Sequence, residues 1–320
     1  MALKLIKPER LRAGDAVGIV VPASPPPDPG AIDRSLEALR RLGFEPRLSR
    51  NARNRRGYLA GSDSERAADL LRMFRDPEVK AIFCLRGGYG TARILSQLDY
   101  KTIREHPKIL VGYSDITALH CALLEHAGLL TFHGPMLNSE LSNPELPDFT
   151  LDSLLRAITV AEPAGSVRQG CPEHQVRTIR GGKAYGRLAG GNLSLICTTI
   201  GTPWEVRLRG RIFFFEDIEE PPYRIDRMLT HLLNAGLLQQ ASGIAVGTHR
   251  NCLDPKAAGT REYRQTLDEV LEERLKPLKV PVVTGLPFGH VRLNATLPVG
   301  ARACLDATRG DLVIEEAAVR

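Results

Sequence analysis

The sequence lacks several features that mark whole classes of proteins. Aromatic residues make up only 5% of its 320 residues, and no recognised nucleic-acid-binding motif accompanies its net charge of +6. A nucleic-acid partner is therefore not expected. No run approaches the roughly 20 apolar residues that a membrane-spanning helix needs. The opening MALKLIKPERLRAGD has neither a long apolar stretch nor a small-residue cleavage site. We expect no membrane partner and no Sec-type signal.

Grouped cysteines are also absent. The six cysteines are spread widely and form no C-x-x-C pair, whereas a disulfide framework or a zinc ribbon requires closer spacing. Cys84 and Cys197 lie inside apolar segments, where a buried thiol behaves as a small hydrophobic side chain. These observations favour a reducing, cytoplasmic location, and they predict no metal site.

The residues that are present have the balance of a folded globular protein. Apolar residues make up 43% and charged residues 25%, which excludes a disordered chain or a fibre. The length allows two domains, each with its own core. The densest basic stretch, RNARNRR at 50–56, is either a solvated loop or a surface that attracts a small anionic ligand.

Strands and helices alternate along the first half. The apolar runs DAVGIVVPAS, VKAIFCLRGG and KILVGYSD predict strands, and TARILSQL and ITALHCALLEHAG predict helices. Ser62 and Glu65 have the spacing of a capping box before a further helix. This alternation predicts an α/β fold with a doubly wound, mainly parallel sheet and helices on both faces, over residues 1–160.

The pattern changes after residue 160. AEPAGSVRQGCPEHQ, residues 161–175, is rich in Pro, Gly and polar residues and has no periodicity, so we predict a linker there. Beyond it, the helical patterns GNLSLICTTIG and YRIDRMLTHLLNAG alternate with the strand patterns RIFFFED and GIAVGT, and a charged helix is predicted near 261–274. We predict a smaller C-terminal α/β domain over residues 176–320.

Ser114 is the candidate nucleophile. It follows the apolar strand residues 109–111 within G-Y-S-D, and a helix is predicted to begin about two residues later. Such a turn presents a hydroxyl at the carboxyl ends of the strands, where ligands of open α/β sheets bind. The helix N-terminus offers free N–H groups and the positive end of its dipole to an oxyanion. The alternative is that Ser114 or Asp115 only caps the helix.

A glycine-rich turn, Arg86-Gly87-Gly88-Tyr89-Gly90, follows the preceding predicted strand. Glycines let the backbone approach a ligand closely and expose its N–H groups. We predict an oxyanion hole formed by the N–H groups of Gly88 and Asp115. A phosphate cradle and a plain tight turn are the alternatives. The spacing is not G-x-G-x-x-G, and no cofactor is predicted.

Several histidines and carboxylates are candidates for proton transfer. Imidazole suits this chemistry because it titrates near neutrality. His133 follows a short strand, His249 ends GIAVGT, and His290 lies in a glycine-flanked loop, so each can line a cleft. Glu216 and Asp217 follow an apolar strand, and either carboxylate can orient a histidine. The alternative is that these acids only favour the start of the next helix.

Six segments resemble, in order, the successive motifs of the L,D-carboxypeptidases, a family that includes microcin-immunity serine peptidases. They are LRGGYGTARIL, VGYSDITALH, TFHGPM, GRLAGGNLSLI, EDIEEPPYRIDRML and GHVRLNATLPVG, and the match extends from about Val17 to Gly300. The resemblance implies an N-terminal Rossmann-like domain, a C-terminal swivelling-type α/β domain and a Ser…Glu…His triad at their junction. By motif position, the triad is Ser114, Glu216 and His290.

The resemblance also implies a function. Its members include cytoplasmic homodimers that recycle murein peptides, so we expect a serine carboxypeptidase that releases terminal D-alanine from murein tetrapeptide, a small acidic peptide. The candidate substrate contacts are Arg86, Tyr89, Asn192 and Trp204. For Asn192 the alternative is a helix cap, and for Trp204 it is packing.

Two other functions are compatible with the sequence. One is a microcin-immunity-type peptidase that cleaves a peptidyl-nucleotide or aminoacyl-nucleotide bond. The other is a non-catalytic nucleotide- or peptide-binding module, which the glycine-rich turns permit. The chain also departs from the family pattern at one place, because Val291 and Arg292 follow His290 where glycine is expected. That departure leaves the triad intact, but local substrate contacts near His290 do not carry over from the family.

Overall fold

The computed structural model describes residues 3–253 and 265–320, which form two β-sheets with helices packed against them. The first half of the chain supplies strands β1 (Ala16–Val20), β2 (Glu45–Leu48), β3 (Val79–Cys84), β4 (Ile109–Gly112) and β5 (Thr131–His133), and helices α1 (Ala31–Arg41), α2 (Asp63–Arg75), α3 (Tyr100–Glu105), α4 (Thr117–Ala122) and α5 (Asp148–Thr159).

The first sheet is mainly parallel and doubly wound, which confirms the predicted fold class. Its order is β2-β1-β3-β4-β5, and all of these neighbours run parallel. In such a sheet the strand order reverses between β1 and β3, and ligands bind outside the carboxyl ends of the strands near this switch point. The glycine-rich turn follows β3, and Ser114 follows β4.

Local sequence signals decide where several helices begin and end. Ser62 Oγ accepts from the Glu65 N–H at 3.2 Å, and the Glu65 carboxylate accepts from the Ser62 N–H at 2.7 Å. This confirms the predicted capping box. The ITALHCALLEHAG segment forms α4 and a π-helical turn over Leu123–Ala127. It ends at Gly128, whose φ of +65° suits a residue without a Cβ.

The second sheet has eight strands. Its members are β6 (Gly165–Ser166), β7 (Arg177–Arg180), β8 (Lys183–Asn192), β9 (Arg211–Glu216), β10 (Gly243–Gly247), β11 (Val282–Leu286), β13 (Arg302–Asp306) and β14 (Asp311–Ile314), and its helices are α6 (Leu193–Thr199), α7 (Pro222–Asn234) and α8 (Leu267–Leu275). The order is β6-β14-β13-β8-β9-β10-β11-β7, with β8 to β11 parallel and the outer pairs antiparallel.

Two short strands depart from the predicted division of the chain at residues 160 and 176. Residues of the predicted linker form β6 at the edge of the second sheet, where it pairs with β14. In the opposite direction, β12 (Leu297–Val299) leaves the second half and pairs antiparallel with β5. Of the charged helix predicted near 261–274, residues 261–264 lie outside the described residues. None of the described helices is long and apolar enough to cross a membrane.

Close backbone approach joins the two sheets beside the candidate site. Gly191 on β8 has φ +146°, and a Cβ there would lie 2.5 Å from Oγ1 of Thr117 at the start of α4. The same hydroxyl accepts from the N–H of Asn192 at 2.9 Å. Only glycine permits this approach, so α4, which begins three residues after Ser114, is fixed against the second sheet.

Candidate active site

Ser114 lies on a strained turn. Its φ is +61°, a left-handed conformation that costs a residue with a side chain about 1–2 kcal/mol. The turn joins β4 to a short 3₁₀ helix over Ser114–Ile116, which leads into α4. No side-chain cap hydrogen bond is formed at the start of either helix. The alternative that Ser114 or Asp115 only caps the helix is therefore wrong, and strain of this kind is typical of functional sites.

Asp115 holds the turn in place from inside the protein. Its buried carboxylate accepts hydrogen bonds from the Thr91 hydroxyl and, at 2.8 Å, from the Thr91 N–H. Burial raises the pKa of Asp115, and the bonds from Thr91 oppose this rise. Thr91 begins the 3₁₀ helix Thr91–Gln97 directly after the glycine-rich turn. The side chain of Asp115 thus connects the glycine-rich turn to the serine turn.

The glycine-rich turn lies directly beside Ser114. A Cβ on Gly87 would lie 3.2 Å from Ser114 Oγ and 3.4 Å from the Asp115 nitrogen. Gly88 has φ +109°, and the Tyr89 N–H donates to Ser24 Oγ at 3.1 Å. The N–H of Gly88 donates to no described acceptor. Gly87 therefore borders the serine, whereas a Cβ on Gly88 would meet Ser24 and Arg86. The oxyanion hole formed by the N–H groups of Gly88 and Asp115 stays a prediction.

Glu216 and His290 form a close pair. Glu216 ends β9 and is fully buried, and its Oε2 lies 2.6 Å from Nδ1 of His290. Burial alone would raise the pKa of Glu216, but the hydrogen bond and charge of His290 outweigh it and lower the value. Burial lowers the pKa of His290, but Glu216, with smaller effects from Glu140 and Asp217, raises it overall. The carboxylate thus holds the imidazole by Nδ1 and leaves Nε2 for another partner.

Tyr113 connects the serine turn with His290 by a ring contact. The Tyr113 ring lies 4.7 Å from the His290 ring, centroid to centroid, and Tyr113 precedes Ser114 in the chain. The His290 side chain is 12% exposed. No described hydrogen bond joins Ser114 to His290. Catalytic hydrogen bonds are often long in a protein without its substrate, and tighten only when the substrate is bound.

Glu140 is a second carboxylate near His290 that sequence reasoning missed. Tyr113 donates its hydroxyl hydrogen to Glu140 Oε1 at 2.5 Å, and the Met136 N–H donates to Oε2 at 2.8 Å. Burial raises the pKa of both Tyr113 and Glu140. Glu140 lies in a short π-helical turn, Leu137–Leu141, just after the TFHGPM motif. In the sequence, only the nearby TFHGPM motif could have indicated Glu140 as a candidate, because a single glutamate has no pattern of its own.

The other carboxylate and histidine candidates have different partners. Asp217 accepts from the N–H and hydroxyl of Ser194 at 2.9 and 2.8 Å and does not contact His290. His249 Nδ1 lies 3.2 Å from the Gly247 carbonyl, and burial lowers its pKa. His133 is fully buried, its ring nitrogens have no partner among the described residues, and burial lowers its pKa to about 3.

The candidate substrate contacts occupy different environments. Asn192 caps α6 by accepting from the Leu195 N–H at 3.2 Å, and its amide donates to Asp217 at 2.9 Å. Arg86 donates to the Pro25 carbonyl at 3.4 Å. Tyr89 is 50% exposed and its ring lies 5.7 Å from that of Tyr58.

Trp204 packs against a core. It is half-buried and contacts the hydrophobic cluster of the first sheet, as in the packing alternative. Among the residues that the structure describes, no group of three or more histidine, cysteine or acidic side chains could hold a metal ion.

A buried carboxylate bonded to an imidazole, near a serine on a strained strand-to-helix turn, defines the class as a serine-type hydrolase. Comparisons with known proteins agree. The family model "LD-carboxypeptidase N-terminal domain" matches residues 17–134, and "LD-carboxypeptidase C-terminal domain" matches residues 185–305. The chain belongs to the LD-carboxypeptidase family, and it is a serine-type L,D-carboxypeptidase, which confirms the resemblance found in the sequence.

Relatives and solved structures cover nearly the whole chain. A probable murein peptide carboxypeptidase of Bacillus subtilis is 43% identical over 97% of this chain and 94% of its own length. The murein tetrapeptide carboxypeptidase of Pseudomonas aeruginosa is 32% identical over 92% and 94%. A structure of the microcin C7 self-immunity protein MccF in complex with glutamyl sulfamoyl guanosine has a TM-score of 0.87 at 26% identity, covering 98% of this chain and 99% of that chain. A muramoyltetrapeptide carboxypeptidase of Oxalobacter formigenes has a TM-score of 0.80 at 32% identity, covering 94% and 99%.

Proposed function

We propose that this protein removes the terminal D-alanine from murein tetrapeptide in the cytoplasm, with Ser114 as nucleophile, His290 as base and Glu216 as the residue that orients the base. The observation that carries the proposal is the 2.6 Å contact between Glu216 and His290 Nδ1. It fixes the tautomer in which Nε2 is free to accept a proton. The names of the carboxypeptidase relatives support the substrate.

The proposed reaction has two stages. His290 Nε2 takes the proton of Ser114 while Oγ bonds to the carbonyl carbon that joins the L-centre to D-alanine. The N–H groups of Gly88 and Asp115 stabilise the oxyanion. The C–N bond then breaks, and His290 gives the proton to the departing amine. In the second stage water, deprotonated by His290, releases the acyl group and restores Ser114. Glu216 stays ionised throughout and stabilises the imidazolium.

The test is incubation of the protein with murein tetrapeptide, followed by mass analysis. The expected result is loss of one D-alanine by the wild type, with and without EDTA, and no loss by Ser114→Ala. Turnover by Ser114→Ala at the wild-type rate would exclude the nucleophile. Binding of the peptide without any turnover by the wild type would favour the alternative of a non-catalytic binding module.

A second candidate function is the cleavage of an aminoacyl- or peptidyl-nucleotide bond. It is favoured by the likeness to MccF over 98% of the chain and by the exposed pair of Tyr58 and Tyr89 beside the glycine-rich turn, since exposed aromatic faces stack on bases. Faster turnover of an aminoacyl-nucleotide than of murein tetrapeptide would favour this function over the first.

Assembly and location complete the proposal. We expect a homodimer, to be checked by light scattering of the purified protein, and recovery with the cytoplasmic fraction of its host. Six buried or half-buried thiols without disulfides suit a reducing compartment; they are Cys84, Cys121, Cys171, Cys197, Cys252 and Cys304. A monomer at all concentrations, or recovery outside the cytoplasm, would contradict these expectations.

A further inference from the structure

A cavity of about 390 Å³ lies against His290. Its volume falls in the usual range for small-ligand pockets, about 300–1,000 Å³. Tyr113 and Glu140 line it beside His290, and Arg250 and Arg292 also line it. In the proposed reaction His290 gives its proton to the departing amine. The leaving group must therefore lie on the His290 side of the scissile bond, where this cavity is.

Arg292 brings an uncommitted cation to this cavity. Its guanidinium forms no ion pair in the part of the chain that the structure describes, and its described hydrogen bond is a long one, 3.4 Å, to the Glu145 carbonyl. The backbone at Arg292 is fixed, because its carbonyl accepts from Thr150 Oγ1 at 2.9 Å, and the same hydroxyl accepts from the Asn294 N–H at 2.9 Å. A rigid backbone thus presents a guanidinium without a carboxylate partner.

Two acidic side chains, Glu140 and Glu145, line the cavity, and Glu140 is the one beside His290. Glu140 is held by Tyr113 at 2.5 Å and by the Met136 N–H at 2.8 Å, on the side of His290. The cavity therefore has a carboxylate next to the imidazole and a guanidinium two residues further along the chain. An amino acid that leaves with a new amine and a free carboxylate matches this distribution of charge, since the planar guanidinium binds a carboxylate through two parallel hydrogen bonds.

We propose that the cavity binds the departing D-amino acid and that Arg292 binds its α-carboxylate, which restricts cleavage to the last peptide bond. This inference rests on the proposed function. It gives a role to one of the two residues, Val291 and Arg292, at which the chain departs from the family pattern. The cavity beside His290 thereby selects for peptides with a free carboxyl end.

The test compares two substrates that differ only at the carboxyl end: murein tetrapeptide as the free acid and as the C-terminal amide. The wild type should prefer the acid in kcat/KM. Arg292→Ala should reduce that preference about ten- to hundred-fold, because a hydrogen-bonded charge pair is lost, and the loss should fall mainly on KM for the acid. Arg292→Lys, which keeps the charge but not the planar fork, should restore part of the preference.

Controls separate this role from a structural one. Arg209→Ala removes an exposed arginine that forms no described ion pair, and it should leave the preference intact. Equal loss of acid and amide turnover in Arg292→Ala would overturn the inference, as would loss of the preference in Arg250→Ala instead. If the wild type cleaves neither peptide, the proposed function itself fails. If it cleaves both and Arg292→Ala keeps the preference, only the inference fails.

Discussion

Replacing Glu216 with glutamine perturbs the carboxylate–imidazole pair while keeping the volume of the side chain. The change removes a buried charge 2.6 Å from Nδ1 of His290. A hydrogen bond to a charged group contributes about 1.5–3 kcal/mol. Burial lowers the pKa of His290 and Glu216 raises it. The pKa of His290 should therefore fall in Glu216→Gln.

The sign of the effect on activity follows from the role of the base. In the proposed reaction His290 must be neutral to accept the proton of Ser114, so kcat/KM should fall as the pH drops below the pKa of His290. A lower pKa moves this acidic limb to lower pH. The plateau should fall as well, by about 10⁴-fold, because a glutamine amide can donate to Nδ1 and hold the wrong tautomer. Glu140→Gln should move the limb the same way by less, since Glu140 acts on His290 by charge without a direct bond.

The assay is the release of D-alanine from murein tetrapeptide, followed by mass analysis from about pH 5 to pH 9. Asp306→Asn is the matched control, because Asp306 is also a buried carboxylate at a strand end but pairs with Lys183 at 2.9 Å. It should keep the wild-type profile. An acidic limb that stays in place in Glu216→Gln, together with a plateau loss below about tenfold, would refute the reasoning.

Three further predictions concern stability. Ser114→Gly should have an unfolding free energy about 1 kcal/mol higher than Ser114→Ala, because only glycine relieves the strain at φ +61°. Urea unfolding of the two variants checks this, and the reverse order would contradict it. Burial lowers the pKa of His120 to about 4 in the folded protein, whereas the unfolded value is about 6.5, so the unfolded chain binds the proton first and stability is lost as the pH falls below about 6.5. Between pH 7 and pH 5 the unfolding free energy of His120→Gln should fall by about 2 kcal/mol less than that of the wild type. Urea unfolding at both pH values measures this, and an equal fall in the two proteins would contradict it. Gly191→Ala should cost several kcal/mol, since the new Cβ would lie 2.5 Å from Thr117 Oγ1, whereas Gly210→Ala points into open space and should cost about 1 kcal/mol; equal midpoints in urea would contradict the comparison.

Much of the fold could be predicted because its signals are local. The capping box at Ser62 and Glu65, the apolar runs of the parallel strands and the cap at Asn192 each depend on residues a few positions apart. The TARILSQL helix was predicted in place, but it is a 3₁₀ helix over Thr91–Gln97. The start of this helix is fixed by a hydrogen bond from the Thr91 N–H to Asp115, 24 residues further along the chain. A local sequence pattern cannot predict a bond of that range.

The candidate site could be predicted only in part, for the same reason. Ser114 has a local signal, a polar turn between an apolar strand and a helix. The choice of His290 over His133 and His249, and of Glu216 over Asp217, depended on the family resemblance. The structure supports those choices by contacts that span 74 residues. Glu140 was missed because its tie to the site passes through the Tyr113 hydroxyl, 27 residues away.

The segment that carries His290 is anchored at both ends, and in different sheets. It follows β11 of the second sheet and leads into β12, which pairs with β5 of the first. The strand that follows the histidine loop, β12, thus connects the two halves of the protein. A hinge motion between the two halves would have to break the strand pairing of Leu297 with His133. A chain cut after the first half would also expose the backbone edge of β5, which invites aggregation, so neither half is expected to be a self-sufficient unit.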